Sequence, residues 1–247
     1  MAEQTRTDLP WAVNTSILLP DVPVLDRAGR ARRDGSTAIE SWWPFASAGP
    51  GDAEVDAFVA SVTDAGIELI AMNLFGGDLA AGERGIAAVP GRRAEFDDSL
   101  AVALEIGRRL GTRMFNTLVG TGPLRDLAVD RLAEASRRAA ADGRRILLEP
   151  LSAVDDYPIT SAEDALGLAR VLGPGAGMLA DLYHLAVNGE DVDAAIAAHG
   201  AEFAHVQVAD APGRGAPGTG SLPLSRWLEA LPGAGYGGWV ALEHLPS

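Results

Sequence analysis

Arg144-Arg145-Ile146-Leu147-Leu148-Glu149, Gly177-Met178-Leu179-Ala180-Asp181, Phe203-Ala204-His205-Val206-Gln207-Val208 and Gly238-Trp239-Val240-Ala241-Leu242-Glu243 decide the fold. Each is a short apolar run carrying one oxygen-bearing side chain at or near its end. The gaps from Glu149 to Asp181, Gln207 and Glu243 are 32, 26 and 36 residues, each about one strand-plus-helix unit. Strand ends at that spacing open into one mouth if the strands close into a parallel barrel. Three carboxylates and an amide gathered there repel one another unless a cation lies between them. Hard oxygen donors without a thiolate favour Mg2+ or Mn2+.

The same rhythm extends to the rest of the chain. Strands are expected at 12–17, 37–41, 67–72, 113–119, 144–149, 177–181, 203–208 and 238–243, alternating with helical stretches. Eight is the count for a (β/α)8 TIM barrel, read here as a single domain over residues 1–247. Phe96, Leu100, Ala103, Leu104, Gly107 and Leu110 fall on one helical face, with Gly111 as a stop. Thr160 and Glu163 are spaced as a capping box, Gly173-Pro174 ends that helix, and Asp191 caps the next. Long loops at 73–91 and 209–221 follow strands 3 and 7, on the side where a barrel builds its active site. Only four residues follow Glu243, so the last helix is truncated or absent. The last strand then needs cover from the N-terminal segment or from a partner copy.

Composition excludes several chemistries. The chain has no cysteine and no lysine; all 20 basic residues are arginine. Thiolate nucleophiles, disulfides, Schiff-base lysines and the P-loop lysine are therefore out. A net charge of -14 argues against a nucleic-acid partner. No apolar run of spanning length and no apolar signal core are present, which leads to the expectation of a cytoplasmic protein without membrane contact. The substrate is expected to be a small molecule.

The loop Asn73-Leu74-Phe75-Gly76-Gly77-Asp78-Leu79-Ala80-Ala81-Gly82-Glu83-Arg84-Gly85-Ile86-Ala87 is the most specific piece of the chain. Together with Glu149-Pro150, Asp181-Leu182-Tyr183-His184, His205-Val206-Gln207-Val208-Ala209-Asp210 and Pro217-Gly218-Thr219-Gly220, it resembles the hydroxypyruvate isomerase family of xylose-isomerase-like TIM barrels. The resemblance runs from Asn14 to Glu243. It implies a metal-dependent aldose–ketose isomerase in which Glu149, Asp181, Gln207 and Glu243 bind the ion. It also implies that Glu149 and Glu243 move the proton, and enolisation next to a carbonyl needs such a pair of carboxylates. The implied substrate is a small hydroxy-oxo acid, hydroxypyruvate first and a 2-oxo-tetronate next. Ketose 3-epimerisation or dehydration of a keto-cyclitol would begin with the same enolisation, and a catalytically altered barrel acting in a specialised pathway is the other alternative. The chain departs from the family at Ser152, Phe75, Leu79, Gly213, Ala216 and Ser221, all read as lying near the mouth.

Other residues are weighed against plainer roles. Arg84 has the fork to bind a substrate carboxylate. Arg214 is a second anion-binding candidate, against a solvated loop arginine. Asn73 and His184 are candidate substrate contacts, and His184 could instead orient a ligand or be an ordinary loop histidine. His205 shares strand parity with Gln207 and so points into the barrel, as a substrate contact or a satisfied core histidine. Glu83 could simply pair with Arg84 or Arg92. Trp42-Trp43-Pro44-Phe45, preceded by Glu40, could wall the pocket or pack in the core.

Overall fold

The computed structural model describes residues 8–246, and the expected cover from the first residues of the chain falls outside them. Eight strands run β1 Trp11–Asn14, β2 Ala38–Ser41, β3 Glu68–Asn73, β4 Met114–Asn116, β5 Arg145–Leu148, β6 Ala176–Asp181, β7 Phe203–Val208 and β8 Val240–Leu242. They close in sequence order into one barrel, every neighbouring pair parallel, with β1 against β8. The helices are α1 Thr15–Leu18, α2 Val24–Arg33, α3 Asp52–Ala65, α4 Arg93–Leu110, α5 Asp126–Ala141, α6 Ala162–Leu172, α7 Leu182–Val187, α8 Val192–His199 and α9 Leu224–Gly233. This is the (β/α)8 TIM barrel, and no helix follows β8 among the described residues.

The strand ends differ from expectation where a polar side chain intervenes. The first strand stops at Asn14 because its side chain accepts the Ser16 amide at 3.0 Å and caps α1. Ile17 and Leu18, apolar enough to extend a strand, are thereby wound into a helical turn. The fourth strand stops at Asn116, three residues before the expected end.

The helices follow their apolar faces. Phe96, Leu100, Ala103, Leu104 and Gly107 are buried on α4, and Gly111 ends it in the left-handed conformation at φ 80°. The capping box of α6 is Ser161 with Asp164, one residue later than Thr160 with Glu163. Both pairs have the right spacing. Asp164 accepts from the Ser161 amide and Ser161 from the Asp164 amide, each at 3.1 Å, while Glu163 points to solvent. Asp191 caps α8 as expected.

Among the described residues, β8 is incompletely covered. Val240 is fully buried, but Leu242 and its neighbours Val13 and Trp11 on β1 are only partly so. Inside the barrel, Ala12, Ala38, Ile70, Ala71 and Ala241 form a small cluster of their own. Strand alternation then aims Asn14, Glu40 and Glu243, two residues beyond these alanines on β1, β2 and β8, into the mouth. Among the described residues, no helix is long and apolar enough to cross a membrane.

Candidate active site

Glu149, Asp181, Gln207 and Glu243 leave β5, β6, β7 and the end of β8 at the same rim, and all four are buried. The register pairs Asp181 with Gln207 and Gln207 with Ala241, which sets the ends of β6, β7 and β8 level. Glu149, Asp181 and His184 bring ligand-type atoms within 4.8 Å of one another. Arg214 links the other side, its Nη2 donating to Glu243 Oε2 at 2.5 Å and Asp181 Oδ2 at 3.3 Å.

Each carboxylate is held by identifiable donors. Asn116 at the end of β4 donates to Glu149 Oε2 at 2.6 Å. Asn14 and the Trp42 indole donate to Glu243 Oε1 at 2.8 and 2.9 Å. Asp181 divides its oxygens: Oδ1 caps α7 through the Tyr183 amide at 2.9 Å, while Oδ2 faces the site. Asp181 is thus a helix cap through one oxygen only.

Crowding these charges in a buried place shifts their protonation. Burial raises the Glu149 carboxyl well above the usual carboxylate range; the charges of Glu243 and Asp181 add to the rise and the Asn116 hydrogen bond opposes it. Burial also pushes Glu243 up to about 8, against the pull of Arg214, with Glu40 and Asp181 adding to the rise.

His184 has its role restricted by Ser152. Its Nδ1 faces the Ser152 amide at 3.1 Å and the Ser152 hydroxyl at 2.7 Å. A backbone N–H only donates, so Nδ1 must offer its lone pair and the neutral ring carries its proton on Nε2. Burial disfavours the charged ring. Nε2–H then points toward Asp181 Oδ2 at 3.6 Å and Glu149 Oε1 at 3.9 Å. His184 thereby turns an N–H rather than a lone pair toward Asp181 and Glu149, beyond hydrogen-bond distance of either.

A cavity of about 300 Å3 opens over Glu149 and Glu243, lined also by Trp42, Asn73, Leu79, Arg84, His184 and Arg214, whereas Asp181 and Gln207 lie outside its lining. His205 is not part of that lining. It is fully buried, with Nε2 2.7 Å from Glu40 Oε2. Arg214 is only 22% exposed and stacks over Tyr183, 5.5 Å from the ring centre, far from a solvated loop arginine. Glu83 pairs with Arg92 at 2.7 Å and accepts the Asp78 amide at 2.6 Å, so it braces its own loop. Of the departures from the family, Ser152 and Leu79 line the cavity; Phe75, Gly213, Ala216 and Ser221 do not. Phe75 lies beneath Arg92 and beside Trp43, and Ser221 bonds Ala211.

The two long loops are built around Gly85, Arg131 and Asp210, whose roles no spacing or periodicity in the sequence announces. Gly85 has φ +104°, and a Cβ there would lie 2.0 Å from the Leu118 carbonyl oxygen. Only glycine lets the Arg84 loop bridge to Val119. Arg131, buried on α5, clamps the same loop by donating to the Ala87 and Val89 carbonyls at 2.9 Å. Asp210 organises the loop of Arg214, accepting the amides of Ala211, Gly218, Gly220 and Leu222 at 2.8 to 3.0 Å. Asp210→Ala should remove about 1.5–3 kcal/mol of stability and loosen Arg214. Calorimetry and kcat/KM measured together test this; wild-type values in both would show that the four amides find water equally well.

Comparison with known proteins follows the same lines. The family described as xylose isomerase-like TIM barrel matches residues 29–246. A Streptomyces coelicolor protein provisionally named hydroxypyruvate isomerase is 40% identical, over 97% of this chain and 91% of its own length. The 2-oxo-tetronate isomerase of Cupriavidus necator is 31% identical, over 96% of this chain and 92% of that protein. Among solved structures, a Brucella melitensis protein described as a family 2 AP endonuclease superposes with a TM-score of 0.86 at 29% identity, over 96% and 93% of the two chains. With a family match across nearly the whole barrel and isomerases aligned almost end to end, this chain belongs to the hydroxypyruvate isomerase family of xylose isomerase-like TIM barrels.

Proposed function

We propose that the protein is a divalent-cation-dependent aldose–ketose isomerase of small hydroxy-oxo acids, interconverting hydroxypyruvate and tartronate semialdehyde, with a 2-oxo-tetronate as the next candidate. The observation that carries this reading is the pair of buried glutamates, Glu149 and Glu243, both raised in pKa and both lining one small cavity with Arg84.

Glu149, Asp181, Gln207 and Glu243 would hold the cation, Mg2+ or Mn2+. The donor set fits. All four offer oxygen, the acids outnumber the one guanidinium among them, and the Gln207 Oε1 atom is buried without a hydrogen-bond partner. A cation held there would supply positive charge to offset the negative charge that develops on the substrate as a carbon-bound proton is removed.

The chain's own residues supply the rest. Asn116 fixes Glu149 Oε2 and leaves Oε1 on the His184 side, free to take a proton. Asn14 and Trp42 hold Glu243 Oε1, while Oε2 meets Arg214. A glutamate whose pKa is raised toward neutrality both accepts and returns a proton efficiently. His184 Nε2–H and Arg214 donate to substrate oxygens, and Arg84 takes the carboxylate.

The named functions of the relatives support this substrate class: hydroxypyruvate isomerase for the Streptomyces protein and 2-oxo-tetronate isomerase for the Cupriavidus protein. An endonuclease role, suggested by the name of the Brucella protein, has little support in a chain of charge -14, which repels a phosphate backbone. The test is exchange of a carbon-bound proton with deuterated water, with Mg2+ or Mn2+, across oxo acids and neutral ketoses. Exchange with ketoses alone would overturn the oxo-acid reading in favour of an epimerase.

Arg84 separates the substrate classes further. Its Nη1 donates to the Leu79 and Glu83 carbonyls at 3.0 and 2.7 Å, which fixes the guanidinium at the cavity. Arg84→Ala should lower kcat/KM for oxo acids about tenfold to 150-fold, the cost of about 1.5–3 kcal/mol for a charged contact. The melting temperature should move little. Lysine should restore little, since an ammonium lacks the fork. A destabilised variant with unchanged kcat/KM would make Arg84 structural.

A further inference from the structure

Beneath the candidate ligands lies a fourth carboxylate, Glu40, with no place in the proton chemistry. It is 2% exposed, yet three side chains donate to it. Asn14 Nδ2 reaches Oε1 at 3.0 Å, Gln207 Nε2 donates to the same oxygen, and His205 Nε2 lies 2.7 Å from Oε2. Asn14 spans from Glu40 to Glu243 Oε1 through the same amide nitrogen. Glu40 is thus in direct contact with one candidate ligand and one residue away from another.

A glutamine presents an acceptor on one side of its amide and donors on the other, and nothing in its shape decides which way round it sits. Glu40 Oε1 accepts from the amide nitrogens of both Asn14 and Gln207, so beside it the glutamine turns its nitrogen inward. Its carbonyl oxygen is then left over, and among the described residues it is one of four buried side-chain atoms without a hydrogen-bond partner, with Asn116 Oδ1, Arg131 Nε and His205 Nδ1. A fourth acid under three others adds repulsion, and an alanine, like Ala38 two residues earlier on the same strand, would avoid it. The repulsion is offset only if the orientation it imposes is used.

We propose that Glu40 is a positioning residue of the cation site: it locks the Gln207 amide with its carbonyl oxygen outward and, through Asn14, holds Glu243 in place. The inference rests on the reading of Gln207 and Glu243 as cation ligands. Supporting groups of this kind typically account for 10- to 100-fold in metal affinity.

The test uses the full-length, metal-free protein without substrate, titrated with Mn2+ and followed by the electron paramagnetic resonance of the free ion. Glu40→Gln should weaken Mn2+ binding about 10- to 100-fold, because its own amide no longer dictates how Gln207 sits. Its melting temperature without metal should stay level or rise, since one charge has left the cluster. Glu40→Asp separates orientation from charge. It keeps the negative charge but withdraws it by one methylene, so it should lose affinity comparably. Wild-type Mn2+ affinity in Glu40→Asp would overturn the proposal, leaving Glu40 as a background charge, and this holds even if Glu40→Gln does not fold. Gln207→Ala tests the underlying reading separately. If it binds Mn2+ like wild type, the ligand set is wrong; if it binds weakly while both Glu40 variants bind normally, only the positioning role falls.

Discussion

Glu149→Gln should abolish isomerisation and solvent proton exchange, lowering turnover about 10^3-fold or more, while leaving the barrel folded. The amide is nearly isosteric and can still receive the Asn116 donor that now meets Glu149 Oε2 at 2.6 Å. It cannot carry a proton between carbons, and general acid–base catalysis by one group is worth roughly 10^2 to 10^4. Stability should hold or rise without metal, because Glu149 faces the charges of Glu243 and Asp181 in a buried place. Deuterium exchange read by NMR, with melting followed by circular dichroism, checks both halves. Exchange surviving at a tenth of the wild-type rate would remove Glu149 from the proton path and move that role to Glu243 alone.

Glu243 is the less free of the two. Asn14, Trp42 and Arg214 all donate to it, against a single donor to Glu149. Three donors hold the Glu243 carboxylate in one orientation, and the pull of Arg214 and Trp42 only opposes the rise that burial imposes, whereas Glu149 keeps one oxygen unengaged. The two acids are therefore unequal before substrate arrives, although both stand at strand ends of the same barrel.

That inequality was not legible in the sequence, whereas the acids themselves were. Strand ends 26 to 36 residues apart announce a shared mouth because the βα unit has a nearly fixed length. The donors come from elsewhere in the chain. Asn14 and Glu243 are 229 residues apart and meet only because β1 closes against β8. Asn14 lay inside an expected strand of 12–17, where its capping of α1, and hence the early end of that strand, went unseen. Glu40 carries no signal in the sequence beyond its place two residues before Trp42. The parity argument that turned His205 inward applies equally to Glu40 and Asn14, but it needs the barrel register to show which polar groups meet. His184 shows a different limit: its proton position follows from one backbone amide, that of Ser152, 32 residues earlier. The place of Arg214 depends on a loop wrapped around Asp210 and on a positive φ of 55° at Arg214 itself, which no periodicity announces.

Stripped of metal, the protein should lose stability as pH rises from about 5 to about 8, and a divalent cation should reverse the loss. The sign follows from the two glutamates. Burial raises the folded-state pKa of Glu149 well above 4.5 and pushes Glu243 from 4.5 up to about 8. Between those values the folded chain binds more protons than the unfolded one, so unfolding becomes easier with every added pH unit. The stabilisation is complete below the unfolded pKa and gone above the folded one. One group held over that window accounts for a few kcal/mol at about 1.4 kcal/mol per unit, and the pair titrates together, so the two contributions do not simply add. For a chain of this size, about 2–3 kcal/mol corresponds to a fall of roughly 4–12 °C in melting temperature. Asp210, whose carboxyl is held low by four backbone amides despite its burial, acts in the opposite sense and only below about pH 4, outside this window. Mg2+ or Mn2+ at a hundred times its dissociation constant should restore about 2.7 kcal/mol at pH 8, and less at pH 5.5, where protons compete for the same oxygens. Scanning calorimetry at several pH values with chelator, then with cation, measures both effects. A chelated protein whose melting temperature climbs steadily from pH 5 to 8, and does not respond to cation, would mean that the acids are compensated by the protein itself. The cation would then have no part in the site.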